Sequence, residues 1–172
     1  EDPDKFIEAV ALMEPTFGGI NLEDIAAPEC FIIEQALRER MNIPVMHDDQ
    51  HGTAIIAAAG LINACEVTGR KLSDCKMVVN GAGASALACT ALVKAMGMKH
   101  ENVIVCDRSG PIYPGRKDVD QWKSAHAVET EARSLEEALD GADIFLGLSA
   151  AGALKPEWVA KMADKPIIFA MA

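Results

Sequence analysis

Apolar positions recur at helical spacing near the start of the chain, where Phe6, Val10 and Met13 fall on one face. Asp2 followed by Pro3 suits a helix cap and first turn, so a helix is expected from residue 3 to about residue 13. Residues 18–22 then predict a short strand that ends at Glu23 and Asp24. Pro28 opens a second helix, with Phe31, Ile32, Ala36 and Leu37 as its expected packed face. Residues 43–46 predict another brief extended element, ending at His47, Asp48 and Asp49. Each of the two short strands therefore delivers an acidic pair. From Gly52 to about Val67 almost every residue is small or apolar, which predicts a buried helix whose Gly60 permits close approach to a neighbour.

Beyond residue 75 the rhythm changes to strand, glycine-rich turn, helix and strand. Residues 76–80 are the first strand, Gly81-Ala82-Gly83 the turn, residues 84–96 the helix and residues 102–106 the next strand. Residues 118–128 and 134–139 predict helices, each opened by a capping box: Asp118 with Gln121, and Ser134 with Glu137. Two more strands, 143–146 and 166–169, flank a helix at 156–162. The alternation predicts an α/β fold, a doubly wound Rossmann-like parallel sheet with a partial α/β segment ahead of it. The expected division is residues 1–51 for the acidic segment and 52–172 for the nucleotide-binding unit, with a hinge near 50–53.

Composition narrows the class. Half of the 172 residues are hydrophobic and only 5% aromatic, a mix that suits tightly packed helices on a buried parallel sheet. The formal net charge is -10. Nearly all of that excess lies in the first 50 residues, which carry 12 Asp and Glu against 3 Lys and Arg. A nucleic-acid partner is therefore not expected. No stretch approaches the roughly 18 consecutive apolar residues of a membrane span. Five cysteines, an odd number without paired spacing, predict buried thiols in a reducing, cytoplasmic setting. The chain starts at Glu1 instead of Met and stops directly after an apolar strand, so further sequence is expected on both sides.

Two constellations carry chemistry. Gly81-Ala82-Gly83-Ala84-Ser85-Ala86 sits between a strand and a helix, where Gly81 permits a tight turn and Gly83 a close backbone approach to pyrophosphate. Ala86 occupies the place of the usual third glycine. Asp107, ending the next strand, suits an adenine-ribose hydroxyl and favours NAD, whereas Arg108 beside it suits the 2′-phosphate of NADP. Spacing leaves that choice open. Ser149, in a loop after a later strand, is expected to line the cofactor cleft and lacks the surroundings of a hydrolase nucleophile. The second constellation is Glu23, Asp24, Asp48 and Asp49, whose hard oxygen donors suit Mg²⁺ or Mn²⁺ holding a 2-hydroxy acid. The competing reading makes Asp24 and Asp48 simple caps, and makes His47 and His51 packing or hydrogen-bonding residues.

Three stretches carry a resemblance. Residues 17–25 (Phe17-Gly18-Gly19-Ile20-Asn21-Leu22-Glu23-Asp24-Ile25), residues 44–54 (Pro44-Val45-Met46-His47-Asp48-Asp49-Gln50-His51-Gly52-Thr53-Ala54) and residues 79–84 closely resemble the bacterial malic enzyme family, and the likeness spans essentially the whole chain. The resemblance implies Glu23, Asp24 and Asp49 as ligands of Mg²⁺ or Mn²⁺, with Asp48 as a supporting acidic residue. It implies a pyrophosphate loop at Gly81, Gly83 and Ala86, and Asp107 at the ribose. The implied reaction is oxidative decarboxylation of malate to pyruvate with NADP or NAD, in a homo-oligomer. Malolactic chemistry, and a non-catalytic dinucleotide-sensing module, are the alternatives. The family's catalytic Tyr and Lys have no counterpart here, since the one tyrosine, Tyr113, falls in a loop after the ribose Asp. An isolated piece of this kind is expected to bind cofactor without turnover.

Overall fold

The computed structural model describes residues 2–172. Asp2 caps the first helix, its side chain accepting from the backbone N–H groups of Asp4 and Lys5, and α1 (Pro3–Ala11) follows. Its buried side chains are Ile7 and Val10. The expected stripe is thus rotated: Phe6 and Met13 remain 40% and 42% exposed. Strands β1 (Ile20–Leu22) and β2 (Val45–His47) pair in parallel, with Leu22 opposite His47. Helix α2 (Glu29–Arg40) makes the crossover between them, burying Cys30, Ile33, Glu34 and Leu37. Leu37 is buried and Ala36 packs on the core as expected, whereas Ile32 is exposed and Ile33 takes the buried place. A buried Glu34 is what sequence periodicity discounts, because the residue types that line a core are apolar. Ile7, Val10, Leu22, Ile33, Leu37 and Val45 close this small core.

Helix α3 (Asp48–Thr68) begins immediately after β2, four residues earlier than expected, and runs through Gly52 without interruption. Asp48 and Asp49 in its first turn favour that start, because carboxylates complement the positive end of the helix dipole. One face is buried, through Ala54, Ala57, Ala58, Leu61 and Cys65, while Ile55, Ile56, Ile62 and Val67 are exposed. It is therefore half-buried, unlike the fully enclosed helix the composition predicts. Gly69, in the left-handed region at φ 69, ends it.

The main sheet joins β3 (Met77–Asn80), β4 (Val103–Asp107), β5 (Gly110–Pro111), β6 (Ile144–Gly147) and β7 (Ile167–Ala170) in the order β5-β4-β3-β6-β7. All pairs are parallel except β4 with the two-residue β5, which the sequence pattern did not reveal. Helix α4 (Ala84–Ala95) connects β3 to β4. Helices α5 (Gln121–Ser124), α6 (Leu135–Ala138) and α7 (Pro156–Val159) are single turns, so the expected helices at 118–128, 134–139 and 156–162 are all shortened. Both sheet faces are covered. Met77 and Val79 of β3 pack with Leu61 and Val93, whereas Val78 packs with Val128, Leu139 and Phe145. Successive strand residues point to opposite sides, so a strand buried on both faces reads as an unbroken apolar run. Among the described residues no helix is long and apolar enough to cross a membrane.

Candidate functional site

The sheet reverses its winding between β3 and β6: from β3 the chain moves outward to β4, then returns to the other side. A crevice forms at such a reversal, beyond the carboxyl ends of the strands. Here it is a cleft of about 680 Å³ that brings together Gly81, Ala82 and Gly83 after β3, Asp107 and Arg108 after β4, and Ser149 after β6. Pro28 and Phe31 of the N-terminal segment form part of its wall. Six residues singled out in three separated stretches of sequence thus meet in one place. Ala84, Ser85 and Ala86 form the first turn of α4 just beyond the lining, with Ala86 fully buried against the sheet.

The turn at Gly81 is built by its neighbours. Gly81 N–H donates to the Cys106 carbonyl at 2.8 Å, and Leu148 N–H donates to the Asn80 carbonyl at 2.8 Å. Gly81 has φ 130, and a Cβ there would lie 2.9 Å from the Leu148 carbonyl oxygen. Both the dihedral and the contact require glycine. At Gly83 a Cβ would meet nothing within 4 Å, so this glycine leaves open space beside the cleft. Gly83 precedes α4 without any side-chain cap, which leaves the first N–H groups of a 12-residue helix free of side-chain partners. That is the arrangement in which a helix N-terminus accepts phosphate. Asn80 Nδ2 donates to Ser149 Oγ at 2.8 Å and ties the two loops together. The residues present fit a dinucleotide.

The ribose end is more elaborate than Asp107 and Arg108 alone. Asp107 Oδ1 accepts from Ser109 N–H at 2.9 Å. Arg116 Nη2 donates to Asp107 Oδ1 and Oδ2, both at 2.7 Å. The same guanidinium donates from Nε to Asp118 Oδ1 at 2.7 Å and from Nη1 to the Gly110 and Pro111 carbonyls at 3.1 Å. Its hydrogen bonds hold the Asp118 carboxyl down at about 2. This also explains the short α5: Asp118 belongs to Arg116, and Asp120 caps the helix instead, accepting from Lys123 N–H. Asp107 was legible as the ribose carboxylate and Asp118 as a cap, but Arg116 carries no spacing signature, and nothing in the sequence pointed to a guanidinium that joins the two. All five cysteines are buried and unpaired. Burial, with Asp107 adjacent, pushes the Cys106 thiol up to about 12.

The acidic segment is less fully assembled. Parallel pairing of β1 and β2 carries Glu23 and Asp24 alongside Asp48 and Asp49. Asp24 N–H donates to Asp49 Oδ2 at 2.8 Å, and Asp24 sits in the left-handed region at φ 58. Asp48 folds back over Gly52, where a Cβ would lie 2.0 Å from Asp48 Oδ1. Among the described residues no three His, Cys, Asp or Glu side chains converge to form a complete metal site. The donor chemistry suits a hard cation, and the structure brings one pair of the three expected carboxylate residues into contact. His47 is fully buried, and neither of its ring nitrogens has a hydrogen-bond partner. His51 hydrogen-bonds Glu34 at 3.0 Å. Glu34, unnoticed in the sequence, also accepts from His47 N–H at 3.1 Å and Gln50 Nε2 at 3.3 Å, fastening α2 to the first turn of α3.

Comparison with known proteins gives concordant matches. Residues 50–172 match the family model of the malic enzyme NAD binding domain, and residues 1–38 match that of the malic enzyme N-terminal domain. A NADP-dependent malic enzyme of Rhizobium meliloti is 64% identical over the whole chain, which covers 23% of that protein. A bifunctional malic/malolactic enzyme of Bacillus subtilis is 50% identical over 99% of the chain and 42% of its own length. The crystal structure of an NAD-dependent malic enzyme from Thermotoga maritima superposes with a TM-score of 0.93 at 44% identity, covering 99% of this chain and 46% of that one. The chain thus spans about a quarter of the length of the Rhizobium relative.

Proposed function

The chain belongs to the malic enzyme family, and from that premise we propose that it forms the dinucleotide-binding and metal-binding part of an enzyme that oxidatively decarboxylates malate to pyruvate with NADP or NAD. The observation that carries the reading is the cleft at the sheet reversal. There Gly81, Ala82 and Gly83 present an uncapped helix start beside Asp107, Arg108 and Ser149. In this reading the pyrophosphate rests on the N–H groups at the start of α4, and Ala84, Ser85 and Ala86 hold that turn against the sheet. Glu23, Asp24 and Asp49 would hold Mg²⁺ or Mn²⁺, with Asp48 supporting them. The contact between Asp24 and Asp49, and the hard oxygen donors, favour this. A bound divalent ion would supply positive charge that polarises malate oxygens in both stages.

The division at residues 51 and 52 is part of the same proposal, and the bounds of the two family models support it. The border then falls inside the first turns of α3. A homo-oligomer is consistent with the exposed Ile55, Ile56 and Ile62 on that helix. A cytoplasmic setting suits five unpaired buried thiols.

The test is initial velocity of the full-length protein with malate and Mn²⁺, comparing NADP with NAD and assaying lactate. Reduced cofactor and pyruvate are expected. Lactate without net cofactor reduction would replace the proposal with malolactic chemistry, a reading favoured by the Bacillus subtilis likeness. No turnover with either cofactor would leave a non-catalytic binding module.

A further inference from the structure

Asp107 stands where a carboxylate would repel a 2′-phosphate, yet its charge is already engaged from beneath. Arg116 is only 6% exposed at its side chain, and Asp107 is 15% exposed. Nε, Nη1 and Nη2 of the guanidinium are all occupied, by Asp107, Asp118 and the Gly110 and Pro111 carbonyls. Arg116 does not line the cleft and has no donor group left for a ligand. Arg108 does line it, is exposed, and has no ion-pair partner among the described residues. The charged groups lining this end are Asp107, Asp118 and Asp120 against Arg108 and Lys123. Only with Arg116 counted beneath them do the charges balance.

We infer that Arg116 is a positioning residue that sets cofactor choice: it neutralises Asp107 from below, so that the ribose end accepts a 2′-phosphate, which Arg108 then meets from the cleft side. The inference rests on the dinucleotide reading above and deepens it. Without Arg116, Asp107 becomes a free carboxylate. It would accept from the ribose hydroxyls of NAD and oppose the added charge of NADP. The buried fork matters as well as the charge, since a guanidinium engages both carboxylates and two carbonyls in one plane, which an ammonium cannot do.

The experiment measures binding of ADP-ribose and 2′-phospho-ADP-ribose to the full-length protein by calorimetry, with no turnover required. Arg116→Gln is expected to lower the ratio of affinities, phosphorylated over unphosphorylated, at least tenfold, or about 1.4 kcal/mol. Arg116→Lys, which keeps the charge but cannot span both carboxylates and both carbonyls, is expected to give a ratio between those of the parent and Arg116→Gln. A merely structural role would weaken both ligands together and leave the ratio unchanged, which overturns the inference. Should Arg116→Gln not fold, Asp107→Asn decides the matter. With the carboxylate already neutralised, that variant shifts the ratio less than about threefold; a rise of tenfold or more would show an uncompensated Asp107 and sink the inference. If neither ligand binds the parent protein, the dinucleotide reading falls, and this inference with it.

Discussion

Glu34 is a charged residue in a core position, only 7% exposed. Burying a carboxylate is costly unless its oxygens are satisfied, and here three donors from β2 and α3 supply that. Replacing it strands those donors, the His47 N–H among them. Glu34→Ala is expected to lower the unfolding free energy by about 2 kcal/mol or more. Glu34→Gln, which retains one acceptor oxygen, should lose less; urea denaturation of both variants checks the order, and equal midpoints with the parent would remove Glu34 from the framework. At this scale legibility depended on residue type. Asp2 and Ser134 were readable as caps because their chemistry is local, and both cap as expected. Glu34 and Arg116 were not, because Glu34 meets donors 13 to 17 residues away and Arg116 reaches back 9 residues to Asp107, while Asp118, readable as a cap, is taken instead by Arg116 two residues before it.

Elements were legible where periodicity was strong and blurred where it was weak. β3, α4 and β4 fall within a residue or so of expectation, because a continuous apolar run, a glycine turn and an alanine-rich helix leave little choice. The faces of α1 and α2 were placed only in part, with Val10 and Leu37 buried as read, since both helices carry more apolar residues than one stripe needs. The choice between Ile7 and Phe6, or Ile33 and Ile32, is made by what packs opposite. The turn between β3 and α4 is the element on which the cleft depends. Gly81→Ala forces a Cβ toward the Leu148 carbonyl at φ 130, which is expected to cost about 1–3 kcal/mol of stability and to weaken ADP-ribose binding at least tenfold. Thermal unfolding alongside ligand titration separates the two effects; unaltered binding in a folded variant would show that the turn does not shape the cleft.

The N-terminal segment and the nucleotide unit meet through Phe31 and Trp122, whose rings stack at 5.2 Å between centroids with a 30° interplanar angle. Phe31 lines the cleft, and so do Asp120 and Lys123 on either side of Trp122. This contact closes one wall using two parts of the chain that are 91 positions apart. An aromatic pair of this kind is worth about 0.5–1.5 kcal/mol beyond its buried area. Trp122→Ala is therefore expected to weaken dinucleotide binding about three- to tenfold while the main sheet persists. Circular dichroism with NADP titration of the full-length protein checks this, and unchanged affinity would show that the N-terminal segment contributes nothing to the cleft wall.

Local pattern in the chain was enough for the α/β class, the parallel strands, the glycine turn and the placement of Asp107 at a strand end, because each follows from residue-to-residue periodicity and from conformations open to glycine. The resemblance of two acidic motifs was likewise carried by contiguous residues. Tertiary structure decided which helix faces were buried, that α3 starts at Asp48, and that Asp107 is bound from below by Arg116. It also decided that Asp24 and Asp49 meet while the wider acidic set does not converge. These outcomes turn on hydrogen bonds and charge compensation between segments distant in sequence, and such pairings leave no periodic trace in the order of the residues.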